Sequence, residues 1–219
     1  RDVERSRGLG DVYKRQEDML EKQYVKFITG DAMMEPNIRI ETNKKGFCHR
    51  HFSQMFTVGQ KLPNALILES HLQEIIDKYM PAKLKGKPDK KQLEGIKEEL
   101  SSCYVCDRIA SDMHHFMATV FAEWVKGEEF RKLYIEQPFI CLKHYSFIMS
   151  AATGKGGISS KLLPDFYAET AALTKNYLVS LKADITHFCS MFDYRSQGQD
   201  WGTSKDSIER SIAFLTGTD

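Results

Sequence analysis

Three short motifs place cysteine three positions before a second cysteine or a histidine. They are Cys48–His51, Cys103–Cys106 and Cys141–His144. Donors at this spacing lie within one helical turn, so both can point to a common centre, and structural zinc sites are commonly assembled from such pairs. Thiolate and imidazole are also the ligands that Zn²⁺ prefers. The motifs therefore predict binding of a transition metal.

The second and third motifs together predict one complete site. Cys103, Cys106, Cys141 and His144 supply three thiolates and one imidazole, which close a tetrahedral shell. Cys141 follows Cys106 by 35 positions, more than the ~12–20 of common zinc fingers, but an amphipathic helix and a return segment can fill that distance. We predict one structural Zn²⁺ here. A closed shell leaves no open position, which favours a binding role over an enzymatic one.

Other chemistry stays open for the same thiols. Cys103 and Cys106 could form a redox dithiol or sensor, although the βαβ pattern typical of such motifs is absent from the sequence. Three thiolates and a histidine can also hold iron or an iron–sulfur cluster. Cys106 shares a face with apolar residues, so an inert buried thiol is the simplest alternative.

The motifs that begin at Cys48 and Cys141 resemble each other beyond the histidine. Each has an aromatic residue at the fourth position after the cysteine and apolar residues at the seventh and eighth. The two segments lie 93 positions apart, which predicts an internal repeat. Cys48 and His51 are then the remnant of a second site. Its partners should come from near position 13, where Tyr13 offers no metal ligand.

Composition limits the function classes. The chain has 219 residues and a formal net charge of +1, which argues against nucleic-acid binding and against a polybasic membrane anchor. We find no transmembrane run and no signal peptide. Five cysteines in a chain without secretory features argue against a disulfide framework. We expect a cytoplasmic protein with a protein or small-molecule partner, and the oligomeric state stays open.

The elements that must position the motifs are helical. Apolar residues recur at 3.6-residue spacing in three stripes, which are Ile109, Met113, Phe116, Met117, Val120, Phe121 and Trp124; Leu68, Leu72, Ile75, Ile76 and Tyr79; and Tyr167, Tyr177, Leu178, Leu181, Ile185, Phe188 and Phe192. The only short strand candidate is 37–42. The last helix is predicted to begin at Thr203 or Ser204.

The predicted fold is an all-α helical bundle of two related halves, each organised around a Cys/His site, with a C-terminal helical extension. The predicted segments are a non-native segment at 1–16, a first half at 17–80, a Lys-rich linker at 81–91, a second half at 92–156 and the extension at 157–219.

Several motifs resemble a bacterial domain-of-unknown-function family, number 6062. They are Lys45-Gly46-Phe47-Cys48 with His51, Cys103 to Ile109, Phe192-Asp193-Tyr194-Arg195, and Trp201-Gly202 with Ser204-Lys205-Asp206. The resemblance implies an intracellular helical protein with two sets of Cys-x-x-Cys plus Cys-x-x-His. It implies no activity.

The sequence departs from that family at its start. The first Cys-x-x-Cys is missing, and the string from Arg5 to Gln16 resembles translated adapter sequence. We therefore predict that residues 1–16 are not native and pack poorly. One metal ion, rather than two, is expected.

Overall fold

The computed structural model of the protein describes residues 9–58, 60–80, 87–196 and 198–217. Within these ranges the chain forms α-helices and short 3₁₀ turns but no strand, so the predicted all-α class is confirmed. The helices are α1 (Leu9–Ile28), α2 (Pro36–Lys45), α3 (His49–Val58), α4 (Lys61–Tyr79), α5 (Lys90–Ser101), α6 (Tyr104–Lys126), α7 (Glu128–Ile135), α8 (Leu142–Thr153), α9 (Leu163–Ser190) and α10 (Ser207–Thr216).

Local sequence explains several helix ends. Proline stands in the first turn of α2 and of α9, where its missing N–H costs nothing. The side chain of Asp89 accepts a hydrogen bond from the Lys91 N–H and caps α5. Gly217, at φ 70°, ends α10 in the left-handed conformation.

Two local predictions differ from the structure. The strand candidate at 37–42 is helical, because Pro36 starts α2 just before it. Thr203 and Ser204 lie in a 3₁₀ turn, and α10 begins three residues later, after Asp206.

Of the predicted linker at 81–91, residues 81–86 lie outside the described part of the chain. Residues 87–89 have no regular structure, and α5 starts at Lys90.

The first compact unit comprises residues 17–113. Its core joins the end of α1 to α3, α4 and the start of α6 and is formed by Val25, Ile28, Met33, Phe47, Met55, Ile67, Cys103, Tyr104 and Val105. Burial of these side chains supplies the main stabilisation of the unit. Four of the nine residues flank or belong to the cysteine motifs, so the core also holds those motifs in place.

The second unit comprises residues up to 16 and from 114 onward, a division that differs from the segments drawn from sequence. Its centre is aromatic. Phe166 packs edge-on against Phe121 and Trp124 and tilted against Tyr134. The Trp124 indole N–H donates to Glu169 at 2.8 Å, so its one polar atom is satisfied.

The predicted apolar stripes on α6 and α4 have different environments. The stripe on α6 is buried from Met113 to Trp124, apart from the half-buried Phe116. The stripe on α4 is largely exposed, since Leu68, Leu72 and Ile76 are 40%, 57% and 52% accessible. Helical spacing therefore identified a face in both helices, but only the first face is a core face.

Candidate metal centre

Two helix starts meet in the first unit and bring four ligand side chains together. Cys48 immediately precedes α3 and His51 lies in its first turn; Cys103 immediately precedes α6 and Cys106 lies in its first turn. One ligand atom from each side chain lies within 4.8 Å of each of the others. Each pair spans one helical turn, as the spacing requires for joint chelation.

The distances between the donor atoms fit a tetrahedral ion. His51 Nδ1 lies 3.3 Å from Cys48 Sγ, 3.2 Å from Cys103 Sγ and 3.4 Å from Cys106 Sγ. Cys48 Sγ and Cys106 Sγ are 3.9 Å apart. Zinc bonds of ~2.3 Å to sulfur and ~2.0–2.1 Å to nitrogen at tetrahedral angles place donors about 3.8 Å apart for two sulfurs and about 3.6 Å for sulfur and nitrogen. The residues present therefore fit one such ion.

Backbone contacts fix the two cysteine-bearing segments against each other. The Tyr104 N–H donates to the Gly46 carbonyl at 3.0 Å, and the Ser102 hydroxyl donates to the Lys45 carbonyl at 2.5 Å. Gly46 has φ 58°, and a Cβ there would come within 2.9 Å of His71. Glycine is therefore required at this turn, which sets the approach of Cys48 to Cys103.

Glu21 on α1 orients the histidine. Its Oε1 lies 2.9 Å from His51 Nε2, and its Oε2 accepts from Arg50 at 2.6 Å. The ring therefore presents Nδ1 to the sulfurs and Nε2 to a carboxylate, an arrangement typical of metal-binding histidines. Burial would raise the pKa of Glu21, but hydrogen bonds from Gln54 and Arg50 outweigh it and lower that pKa, so the carboxylate is ionised.

The site is buried on one side and open on the other. His51 and Cys103 are 2% and 3% exposed, whereas Cys106 is exposed and Cys48 half-buried.

Burial raises the pKa of Cys106 to about 12, and neighbouring Cys103 adds to the rise. Burial lowers the pKa of His51 despite Glu21, so the imidazole is neutral, the form that binds metals.

The ligand set differs from the predicted one. Cys103 and Cys106 meet Cys48 and His51, the predicted remnant, while Cys141 and His144 belong to the second unit. Phe47 and Tyr104 flank the first two motifs and pack in one core, which brings those two motifs together.

Cys141 and His144 repeat the local geometry without a second pair of thiols. Cys141 precedes α8, and its Sγ lies 3.2 Å from His144 Nδ1. Both residues are buried, and the ring of Tyr13 lies 5.7 Å from the histidine ring. Tyr13 stands 93 positions before Cys106, which is the position where the predicted repeat would expect a thiol.

The burial of Tyr13 also corrects the expectation for residues 1–16. Residues 1–8 lie outside the described part of the chain, but Tyr13 is fully buried and packs edge-on against Phe116. Poor packing up to residue 16 is therefore wrong at this position. Tyr13 lies on α1, and burial of its aromatic side chain stabilises the fold whether or not the residue is native.

Glu21 is the functional residue that sequence reasoning missed. It lies 30 positions before His51, and no spacing rule connects the two. The available signal was its place on α1, because Glu21 shares a helical face with Val25 and Ile28, which are buried. An acid on an apolar face needs a partner.

The fold and the site define an all-helical protein with a three-cysteine, one-histidine cluster that could hold a metal ion. The chain belongs to the family of unknown function DUF6062, which matches residues 15–219, so the resemblance drawn from the motifs is confirmed. No curated protein and no solved structure matches the chain.

None of the helices in the described part of the chain combines the length and the apolar character needed to cross a bilayer.

Glu21→Gln should weaken metal binding without abolishing it. The amide can still accept from His51, but it loses the negative charge that makes the ligand imidazole more basic, and loss of such partners costs about 10–100-fold in affinity. Competition with a chromophoric chelator measures the change. Glu41→Gln is the matched control, because Glu41 pairs with Arg108 at the surface. An unchanged affinity for the Glu21 variant would contradict the assigned role.

Proposed function

We propose that this chain is an intracellular zinc-binding protein whose ion is structural. The ion is held by Cys48, His51, Cys103 and Cys106. The observation that carries the proposal is the convergence of four donor atoms from two separate helix starts within 4.8 Å. Chance proximity of cysteines in a core explains neither the paired spacing nor the carboxylate behind the histidine.

A structural role follows from the number and position of the ligands. Four protein ligands fill a tetrahedral shell, which leaves no place for water or substrate. The ligands lie at the starts of α3 and α6 and in the residues just before them, so the ion joins parts of the first unit that are distant in sequence. Its binding energy then becomes folding energy.

Zinc is favoured over iron by the mixed ligand set and the compact donor geometry. One imidazole among three thiolates is a common shell for structural zinc, although iron can accept the same ligands. An intracellular location is supported by the thiols, since all five cysteines are free and reducing compartments preserve thiols.

Metal analysis of protein purified without added metal tests the proposal. We expect about one zinc per chain, no visible absorption, and a lower melting temperature after a strong chelator removes the ion. Re-addition of zinc should restore the melting temperature. A brown protein with charge-transfer bands would replace zinc by iron. Metal-free protein of unchanged stability would contradict the proposal.

A thiol redox function is the second candidate, and one observation favours it. Cys106 is exposed, and its sulfur lies 3.9 Å from that of Cys48, so a peroxide could oxidise the two thiols to a disulfide and be reduced to water. If this were the main function, the protein would be isolated without metal and would cycle reversibly between dithiol and disulfide. The Cys103–Cys106 pair, predicted as the redox dithiol, would be tested in the same way.

A further inference from the structure

The four metal ligands divide into a buried pair and a more accessible pair. His51 and Cys103 are 2% and 3% exposed, and Cys103 belongs to the core of the first unit. Cys106 is exposed and Cys48 is half-buried. Oxidation of thiols follows their exposure, so a dissolved oxidant reaches Cys106 and Cys48 before it reaches Cys103.

The two accessible sulfurs are close enough to react with each other. Cys48 Sγ and Cys106 Sγ lie 3.9 Å apart, and an approach of about 1.9 Å brings them to the ~2.05 Å of a disulfide bond. Cys48 stands before the first residue of α3, and Cys106 is exposed, so rotation of these side chains can supply the movement. Close packing around Cys103 resists the same movement there.

Loss of these two thiolates would open the metal shell. The thiolate is the form of cysteine that binds a metal, and disulfide formation removes it from both residues. Cys103 and His51 then remain as ligands, whereas a structural zinc site uses four. Oxidation of Cys48 and Cys106 would therefore release the ion.

We propose that the metal site is a peroxide-sensitive switch, in which a disulfide between Cys48 and Cys106 forms as zinc is released. This regulation rests on the zinc-binding function proposed above. It differs from the redox dithiol predicted from sequence, because the bond joins two motifs rather than the two cysteines of one motif.

The reaction balances with hydrogen peroxide as the oxidant. The Cys106 thiolate attacks one peroxide oxygen, the O–O bond breaks, hydroxide leaves and Cys106 becomes a sulfenic acid. The Cys48 thiolate then attacks the Cys106 sulfur and displaces a second hydroxide. The two sulfurs lose two electrons in total, peroxide gains them, and two protons from solvent convert the hydroxides to water.

The disulfide would join the chain where the ion joined it. Cys48 and Cys106 are 58 positions apart, and they lie at the starts of α3 and α6. A covalent link over such a distance stabilises a fold by restricting the unfolded chain. The oxidised, zinc-free protein should therefore melt at least about 5 °C above reduced protein from which a chelator has removed the zinc.

The experiment treats the zinc-loaded full chain with hydrogen peroxide. A chromophoric chelator follows zinc release, and mass spectrometry of peptides maps the disulfide. We expect release of about one ion per chain together with a Cys48–Cys106 disulfide, and a dithiol reductant with added zinc should restore the loaded protein. Cys189→Ser is the matched control, because Cys189 is an exposed thiol outside the cluster. It should release zinc at the unchanged rate.

Cys106→His separates metal binding from oxidation. Histidine is also a zinc ligand, so four ligands remain, but Cys48 loses its partner for a disulfide. The variant should bind zinc and release it to peroxide at least about ten-fold more slowly than the unchanged protein. If the variant does not bind zinc, the disulfide mapped in the unchanged protein decides.

The outcomes separate this switch from the proposed function. A chain that takes up no zinc contradicts both. A zinc-loaded chain that keeps its ion in peroxide, a mapped Cys103–Cys106 disulfide, or release from Cys106→His at the unchanged rate overturns the switch and leaves the structural zinc site standing.

Discussion

Cys103→Ser should reduce the metal content from about one ion per chain to near zero and destabilise the first unit. Serine is close in size to cysteine but is a poor zinc ligand, so the change removes a bond to the ion and little packing. Apparent zinc-binding energies of ~10–16 kcal/mol make this loss larger than most core defects. We expect a fall in stability of at least about 3 kcal/mol, or more than about 10 °C in melting temperature. Metal analysis and thermal unfolding provide the measurements.

Cys141→Ser is the matched control for that experiment. Cys141 is also a buried thiol immediately before a helix, and it also lies 3.2 Å from a histidine ring nitrogen. Because its side chain does not belong to the four-residue cluster, the metal content should stay at about one. Loss of the ion from this variant as well would restore the ligand set predicted from sequence, because that set contains both Cys103 and Cys141.

The double variant Gly10→Cys/Tyr13→Cys should bind a second ion in the second unit. The predicted repeat places these positions opposite Cys141 and His144, and Tyr13 already contacts the His144 ring. Stoichiometry should rise from about one toward about two. Without metal the variant should be about 3 kcal/mol less stable, because a buried aromatic ring is lost, and zinc should reverse that loss. Metal titration followed by thermal unfolding measures both effects.

Gly10→Ser/Tyr13→Ser is the control for the second site. It leaves the same space beside His144 but supplies no thiolate, so it should stay at about one ion and respond little to added zinc. A folded double-cysteine variant that still holds one ion in excess zinc would show that the start of α1 does not present these positions to Cys141.

The ligand pairs could be predicted from sequence, but their combination could not. Three-residue spacing is a local property of one helical turn, and it identified Cys48 with His51 and Cys103 with Cys106. Which pairs meet depends on the lengths of the helices between them and on which apolar faces become buried. Phe47 and Tyr104 join one core, and that contact brings the first two motifs together.

Helical periodicity predicted the fold class because it, too, is a local property of one helix. A 3.6-residue pattern identifies a face but does not say what covers it. On α6 the face is covered from Met113 to Trp124, whereas on α4 Leu72 remains 57% exposed. The contact between Glu21 and His51 could not be predicted from such a pattern. The two residues lie on different helices, and no local spacing connects them.

The two ligand pairs are far apart in sequence, so the ribosome makes them at different times. His51 and Cys106 are 55 positions apart, and at ~5–20 residues per second the ribosome needs about 3–11 s to make the chain between them. During that interval the nascent chain offers two ligands, too few to close the shell. An ion held by all four ligands would close a loop of 52 positions between His51 and Cys103. Closure of such a loop costs the unfolded chain about 4 kcal/mol of entropy at 25 °C. Capture of the ion by all four ligands would therefore wait until Cys106 has been made, and the bound ion would act as a reversible cross-link around α4 and α5.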